Sequence, residues 1–142
     1  MRAIEVIEEF VRAYFDNENA VKLILDVWTV AQAWDDAYDG DEADHTIGYK
    51  SMLDIQTNPI SSQIPIAHSM NKMYRSWMIS NVFESEKQEL EKAWMLRAGF
   101  YELMIDVFEG INGSEKAVDF GVQAWCLYGE TLKNYLEEMK NA

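Results

Sequence analysis

Cysteine is almost missing from this 142-residue chain. The single one, Cys126, excludes an internal disulfide framework and a multi-cysteine zinc site within one chain. Proline and glycine are scarce, at two and seven, so few positions interrupt regular structure. Bases are in deficit, with 12 Lys and Arg against 25 Asp and Glu for a net charge of −13. That balance repels phosphate backbones and anionic bilayers, so no direct nucleic-acid or membrane binding is expected, and cations or basic partners are favoured. Long apolar runs are lacking too. None approaches the roughly 18 residues that suggest a membrane span, and Met1–Phe15 alternates charged with apolar residues, unlike a secretory leader. A cytoplasmic protein is expected.

What is present is ordinary globular material, 49% apolar and 26% charged. The length suits one domain, taken as 1–142, that can bury roughly 68–70% of its unfolded surface. The apolar spacing is helical nearly throughout. Ile4, Ile7, Val11 and Phe15 stack on a first helix over about Arg2–Phe15. Asp16-Asn17-Glu18-Asn19 breaks it and offers N-caps for a second helix to about Tyr38, with Leu23, Val27, Val30 and Trp34 on one side. A third helix is expected over about His45–Ile55, ended by Thr57-Asn58-Pro59. Ser61 and Ser62 are candidate caps for a fourth, with Pro65 in its first turn. Ser85-Glu86-Lys87-Gln88 suggests a restart or a kink. Gly110 is expected to end the fifth helix and Ser114 to cap a last one reaching Lys140. The predicted fold is a compact all-α bundle of five to six helices.

Asp35, Asp36, Asp39, Asp41, Glu42 and Asp44 place six carboxylates within ten residues at a predicted helix end. Asp35 and Asp39 are i,i+4, and Asp36 and Asp39 are i,i+3, so their like charges share a face and meet the negative end of the helix dipole. A hard divalent cation such as Mg²⁺ would relieve both penalties and keep waters for a phosphorylated ligand. The alternative is a solvated acidic helix end. An EF-hand is excluded: with Gly40 in the glycine position, Ala37 and Thr46 fall where ligands are required.

Asp35-Asp36-Ala37-Tyr38-Asp39 resembles the D-D-x-x-D motif of class I terpenoid and prenyl-diphosphate synthases, all-α proteins in which the motif holds Mg²⁺ against a diphosphate. Asn81, Ser85 and Glu89 fit the N-x-x-x-S-x-x-x-E skeleton of that family's second metal motif, provided one helix carries all three. A broader resemblance spans most of the chain. Trp34-Asp35-Asp36-x-x-Asp39-Gly40-Asp41, Asn58-Pro59, Trp77-x-x-x-Asn81-x-x-Glu84 and Leu96-Arg97 look like a group of small tailed-phage proteins. That resemblance implies phage origin and a host-cell location, with no biochemical role attached.

Trp77, Asn81 and Glu84 fall at i, i+4 and i+7 on one helix face, either completing a site or forming a wet helix end. Glu102, Asp106 and Glu109 make a further acidic stripe, read as solvated, with Arg97 about a turn below. Glu5-x-x-Glu8 matches half of the paired acidic elements of all-α nucleotide pyrophosphohydrolases, but the E-x-x-D partner is missing. His45 is expected to be exposed, His68 partly buried, and Cys126 buried as a small hydrophobe.

Two function classes follow. In the first, Asp35, Asp36 and Asp39 hold a divalent metal that binds or acts on a diphosphate or other phosphorylated small molecule. Asp41, Asn81 and Glu84 are then additional candidates, and Arg97 is a phosphate contact. In the second, a non-catalytic acidic protein occupies a basic surface of a host factor. Five tryptophans and eight methionines are much to hide in 142 residues, so a homodimer is expected.

Overall fold

The computed structural model describes residues 2–41 and 45–141. The chain forms two compact units, Met1–Ala67 and His68–Ala142. The described residues are helical with no strand, so the all-α expectation holds. They form eight helices rather than five or six. Both extra elements come from splitting a predicted helix.

The first unit contains α1 (Ala3–Tyr14), α2 (Glu18–Asp39) and α3 (His45–Thr57). The predicted break between α1 and α2 is present. Asn17 is the N-cap of α2, and its side chain accepts from the Asn19 and Ala20 amides at 2.9 and 3.2 Å, satisfying two of the donors that a helix start leaves orphaned. Ile7, Val11 and Phe15 are buried with Ala20, Val21, Leu23, Ile24, Val27 and Val30 of α2. Leu23 is fully enclosed, so truncating it to Ala would cost about 2–5 kcal/mol.

α2 and α3 approach very closely at Gly48. A Cβ placed there would lie 2.8 Å from the Ala33 Cβ, inside any tolerated contact, so only glycine lets the two helices meet at this depth. Asn58 then fastens the far end of α3. Its side chain donates to the Asn19 carbonyl at 2.9 Å and accepts from the Ile60 amide at 2.9 Å. Ser61 and Ser62, expected to cap the following helix, do not. The Ser61 hydroxyl donates to the Ile55 and Asn58 carbonyls, and that of Ser62 donates to the Pro59 carbonyl. They satisfy the end of α3 and its exit turn instead.

The second unit holds most of α4 (Ile64–Glu86), with α5 (Leu90–Leu96), α6 (Gly99–Asn112), α7 (Ser114–Trp125) and α8 (Leu132–Lys140). Its core is the α6–α7 hairpin. Phe100, Leu103, Met104, Val107 and Phe108 are buried with Ala117, Phe120 and Ala124, and Phe108 stacks on Phe120 with ring centroids 4.2 Å apart. The turn between them uses Gly113 at φ 91° rather than Gly110, which stays inside α6.

The split between α5 and α6 falls at Arg97-Ala98, where Gly99 lies close under Met73 of α4. A Cβ on Gly99 would be 3.2 Å from the Met73 Cγ. The second split separates α7 from α8 and is held by paired aromatics. The Tyr128 hydroxyl donates to the Trp94 carbonyl at 3.0 Å, the Trp94 indole donates to the Glu130 carbonyl at 3.1 Å, and the two rings stack at 5.2 Å. Two hydrogen bonds and a stacking contact outweigh the small cost of interrupting a helix that periodicity alone would continue.

Candidate functional site

The acidic cluster closes α2. Gly40 takes φ 76°, its amide donates to the Ala37 carbonyl at 3.3 Å, and the Asp41 amide donates to the Asp36 carbonyl at 2.9 Å. This is a Schellman closure, which needs a left-handed residue and supplies glycine for it. Asp35 and Asp36 lie half-buried on the last turns of α2, whereas Asp39 and Asp41 are exposed. Glu42 and Asp44 lie outside the described residues. Among the described residues, no three His, Cys, Asp or Glu side chains are grouped so as to hold a metal ion.

Helices α2 and α3 expose large apolar side chains. Tyr38 at the end of α2 is 51% exposed, and on α3 Ile47, Tyr49 and Leu53 are 56%, 66% and 63% exposed. Tyr49 and Leu53 are i,i+4 and share a face.

A second polar group lies deeper between α2 and α3. Lys22 bridges Asp26 at 3.1 Å and Asp54 at 3.0 Å. Asp26 is buried. Burial raises its carboxyl above the ordinary aspartate value, against the opposing pull of Lys22 and of a hydrogen bond from Ser51. Lys22 is held above its ordinary value by its hydrogen bonds to Asp54 and then Asp26. The sequence contained a signal for this cluster, since Asp26 interrupts the apolar stripe of α2 four residues after Lys22.

In the second unit, the predicted candidates Glu84 and Arg97 are brought together. Glu84 Oε2 accepts from Arg97 Nη1 and from the Tyr135 hydroxyl, both at 2.6 Å. The Arg97 guanidinium also lies 5.4 Å from the Tyr135 ring centroid. Tyr135 is completely buried, and burial, reinforced by the carboxylate it donates to, raises its phenol far above the ordinary value. One oxygen thus ties α4, the α5–α6 turn and α8 together. Asn81 is buried and Trp77 half-buried on the same helix as Glu84, as their spacing predicts.

The Asn81–Ser85–Glu89 skeleton is interrupted. Ser85 is not a helix start; its hydroxyl donates to the Val82 carbonyl within α4. The helix stops after Glu86, and both Lys87 and Glu89 adopt left-handed backbone, at φ 52° and 50°. Glu89 is therefore the N-cap of α5 and falls outside the helix that carries Asn81. The Glu102–Asp106–Glu109 stripe is not simply solvated either. Glu102 accepts from the Trp125 indole at 3.0 Å and Asp106 from the Ser69 hydroxyl at 2.6 Å. His45 is exposed as expected, while His68 and Cys126 are exposed rather than buried.

No protein-family model matches the chain, and neither do the curated proteins or solved structures compared with it. No helix among the described residues is long and apolar enough to cross a membrane.

Proposed function

We propose that this protein acts as a non-catalytic binding protein, presenting the α2–α3 hairpin to a basic, nucleic-acid-binding surface of a partner. The observation that carries this reading is the pairing of carboxylates with exposed apolar side chains on one hairpin. Asp35, Asp36, Asp39 and Asp41 supply negative charge at the end of α2, and Tyr38 of α2 with Ile47, Tyr49 and Leu53 of α3 stand in solvent. Exposed aromatic and aliphatic groups supply the buried area that a protein interface needs. The acids steer encounter and set register with a basic surface. The net charge of −13 extends that steering over the whole chain.

The test is fluorescence anisotropy with a labelled amphipathic lysine- and arginine-rich peptide, titrated at several salt concentrations. Salt-sensitive binding that Tyr49→Ser/Leu53→Ser weakens about tenfold, roughly 1.4 kcal/mol, supports the hairpin. Val118→Ser/Val122→Ser on α7 is the control and should leave binding intact. Equal loss from both pairs would overturn the assignment.

A second reading rests on the shared face of Asp35 and Asp39. In it, Asp35, Asp36 and Asp39 take up Mg²⁺ only when a phosphorylated small molecule completes its coordination. Mg²⁺ with inorganic pyrophosphate should then stabilise the protein by about 2.7 kcal/mol at a hundredfold excess over Kd. Asp35→Asn/Asp36→Asn should abolish that gain. A shift matched by monovalent salt of equal ionic strength would reduce the effect to screening.

A further inference from the structure

We propose that the groove between the α4–α5 connection and α8 is a binding site for an amphiphilic anion, a carboxylate on a short aliphatic chain. The groove is open to solvent, has a volume of about 500 Å³ and is lined by Lys87, Leu90, Lys133, Leu136, Glu137, Met139 and Lys140. That volume is of small-molecule size. Its charge is the reverse of the molecule's. Three of the seven lining residues are lysines against one glutamate, in a chain with 12 bases and 25 acids. Leu90, Leu136 and Met139 supply the apolar wall.

The geometry fits a headgroup-and-tail ligand. Lys133, Leu136, Glu137 and Lys140 recur at i, i+3, i+4 and i+7, so a single face of α8 lines the groove for about 10 Å. Lysines stand at both ends of that face and Leu136 lies between them. Lys87 arrives from the opposite wall, where its ammonium donates to the Met139 carbonyl at 3.0 Å, which keeps a positive charge fixed at the groove's edge.

Two local penalties converge on this place. Lys87 and Glu89 hold left-handed backbone without being glycine, a conformation that is costly for any residue with a Cβ. Lys133 lies in the first turn of α8, beside the positive end of the helix dipole, where a cation is disfavoured. Lys140, in the last turn, complements the dipole and needs no other reason. Helix chemistry thus accounts for Lys140 but not for Lys133 or for the backbone at Lys87. A bound anion would offset the charge penalty, and the turn at Lys87 is what brings its ammonium to the rim.

The experiment uses the full chain and decanoate below its micelle concentration, with decanol and acetate as paired controls. Amide NMR shifts map the contact, and calorimetry gives the affinity. Decanoate should perturb Leu90, Leu136 and Met139 and bind at least tenfold more tightly than decanol or acetate, since both charge and tail contribute. Lys133→Gln/Lys140→Gln, on exposed positions, should weaken decanoate about tenfold and leave decanol unchanged. Decanol binding as tightly as decanoate would overturn the proposal, as would acetate doing so or shifts lying outside the groove. If the variant fails to fold, the ligand comparison and shift map on the wild-type chain still decide it.

Discussion

Replacing Tyr135 by Phe isolates the hydrogen bond on which the second unit converges. The ring, its burial and its cation–π contact with the Arg97 guanidinium are kept; only the hydroxyl that donates to Glu84 at 2.6 Å is lost. A bond to a charged acceptor in a buried setting contributes about 1.5–3 kcal/mol, and the Glu84 side chain is only 13% exposed. Tyr135→Phe should therefore destabilise by about 2 kcal/mol, read as a lower urea midpoint at unchanged slope. Glu84→Gln removes the charge shared by both partners. Breaking a fully buried ion pair costs about 3–5 kcal/mol, but Arg97 is 25% exposed and solvent screens part of the loss, so about 2–3 kcal/mol is expected. Because both donors use Oε2, the double variant should be about 1 kcal/mol more stable than the sum of the singles implies. Circular dichroism at 222 nm follows unfolding for all three. A Tyr135→Phe midpoint equivalent to less than about 0.5 kcal/mol, or strict additivity, would refute the shared-acceptor account.

Alkaline pH should unfold the protein once the pH exceeds the ordinary tyrosine value, because the buried phenols ionise only when they are exposed. Burial raises Tyr74 and Tyr101, pushes Tyr128 to about 12, and raises Tyr135 further. Raised folded values mean that stability is complete below the unfolded phenol value of 10 and is lost as pH climbs through 10 towards 12, by up to 1.36 kcal/mol per unit per group. Absorbance at 295 nm should reach its full seven-tyrosine rise only with the loss of helix, and a complete rise with the helices intact would contradict the burial argument. At Asp26, where burial outweighs Lys22, Asp26→Asn should be neutral or stabilising at pH 7, whereas Lys22→Met should destabilise by leaving the carboxylate unpaired; thermal melts of the two variants decide it. Gly48→Ala should cost about 1–3 kcal/mol from the 2.8 Å clash with Ala33. Ala33→Gly in the same chain should recover part of that, less the roughly 1 kcal/mol of an added helix glycine.

Periodicity, caps and breakers were enough to read helices directly from the amino acids, because these signals act within one or two turns. Of the stripe Ile4-Ile7-Val11-Phe15 all but the half-buried Ile4 are buried, and the Asn17 cap, the helix end at Gly40 and the stop at Asn58-Pro59 appear where local rules place them. The acidic turn was equally legible as a concentration of charge, since six carboxylates in ten residues need no fold to be seen. What local rules missed depends on partners distant in the chain. The interruptions at Arg97-Ala98 and after Trp125 exist because Arg97 is drawn to Glu84 and Tyr128 to Trp94, over separations of 13 and 34 residues. Ser61 and Ser62 read locally as caps for the helix that follows, whereas packing turns their hydroxyls to carbonyls at the end of α3 and in its exit turn. Likewise, Lys87, Lys133 and Lys140 are scattered single bases until α5 and α8 bring them around one groove. Short-range hydrogen bonding and apolar spacing are encoded residue by residue, whereas the meeting of opposite charges and the shape of a cavity are properties of packed helices. Tertiary structure alone decided those.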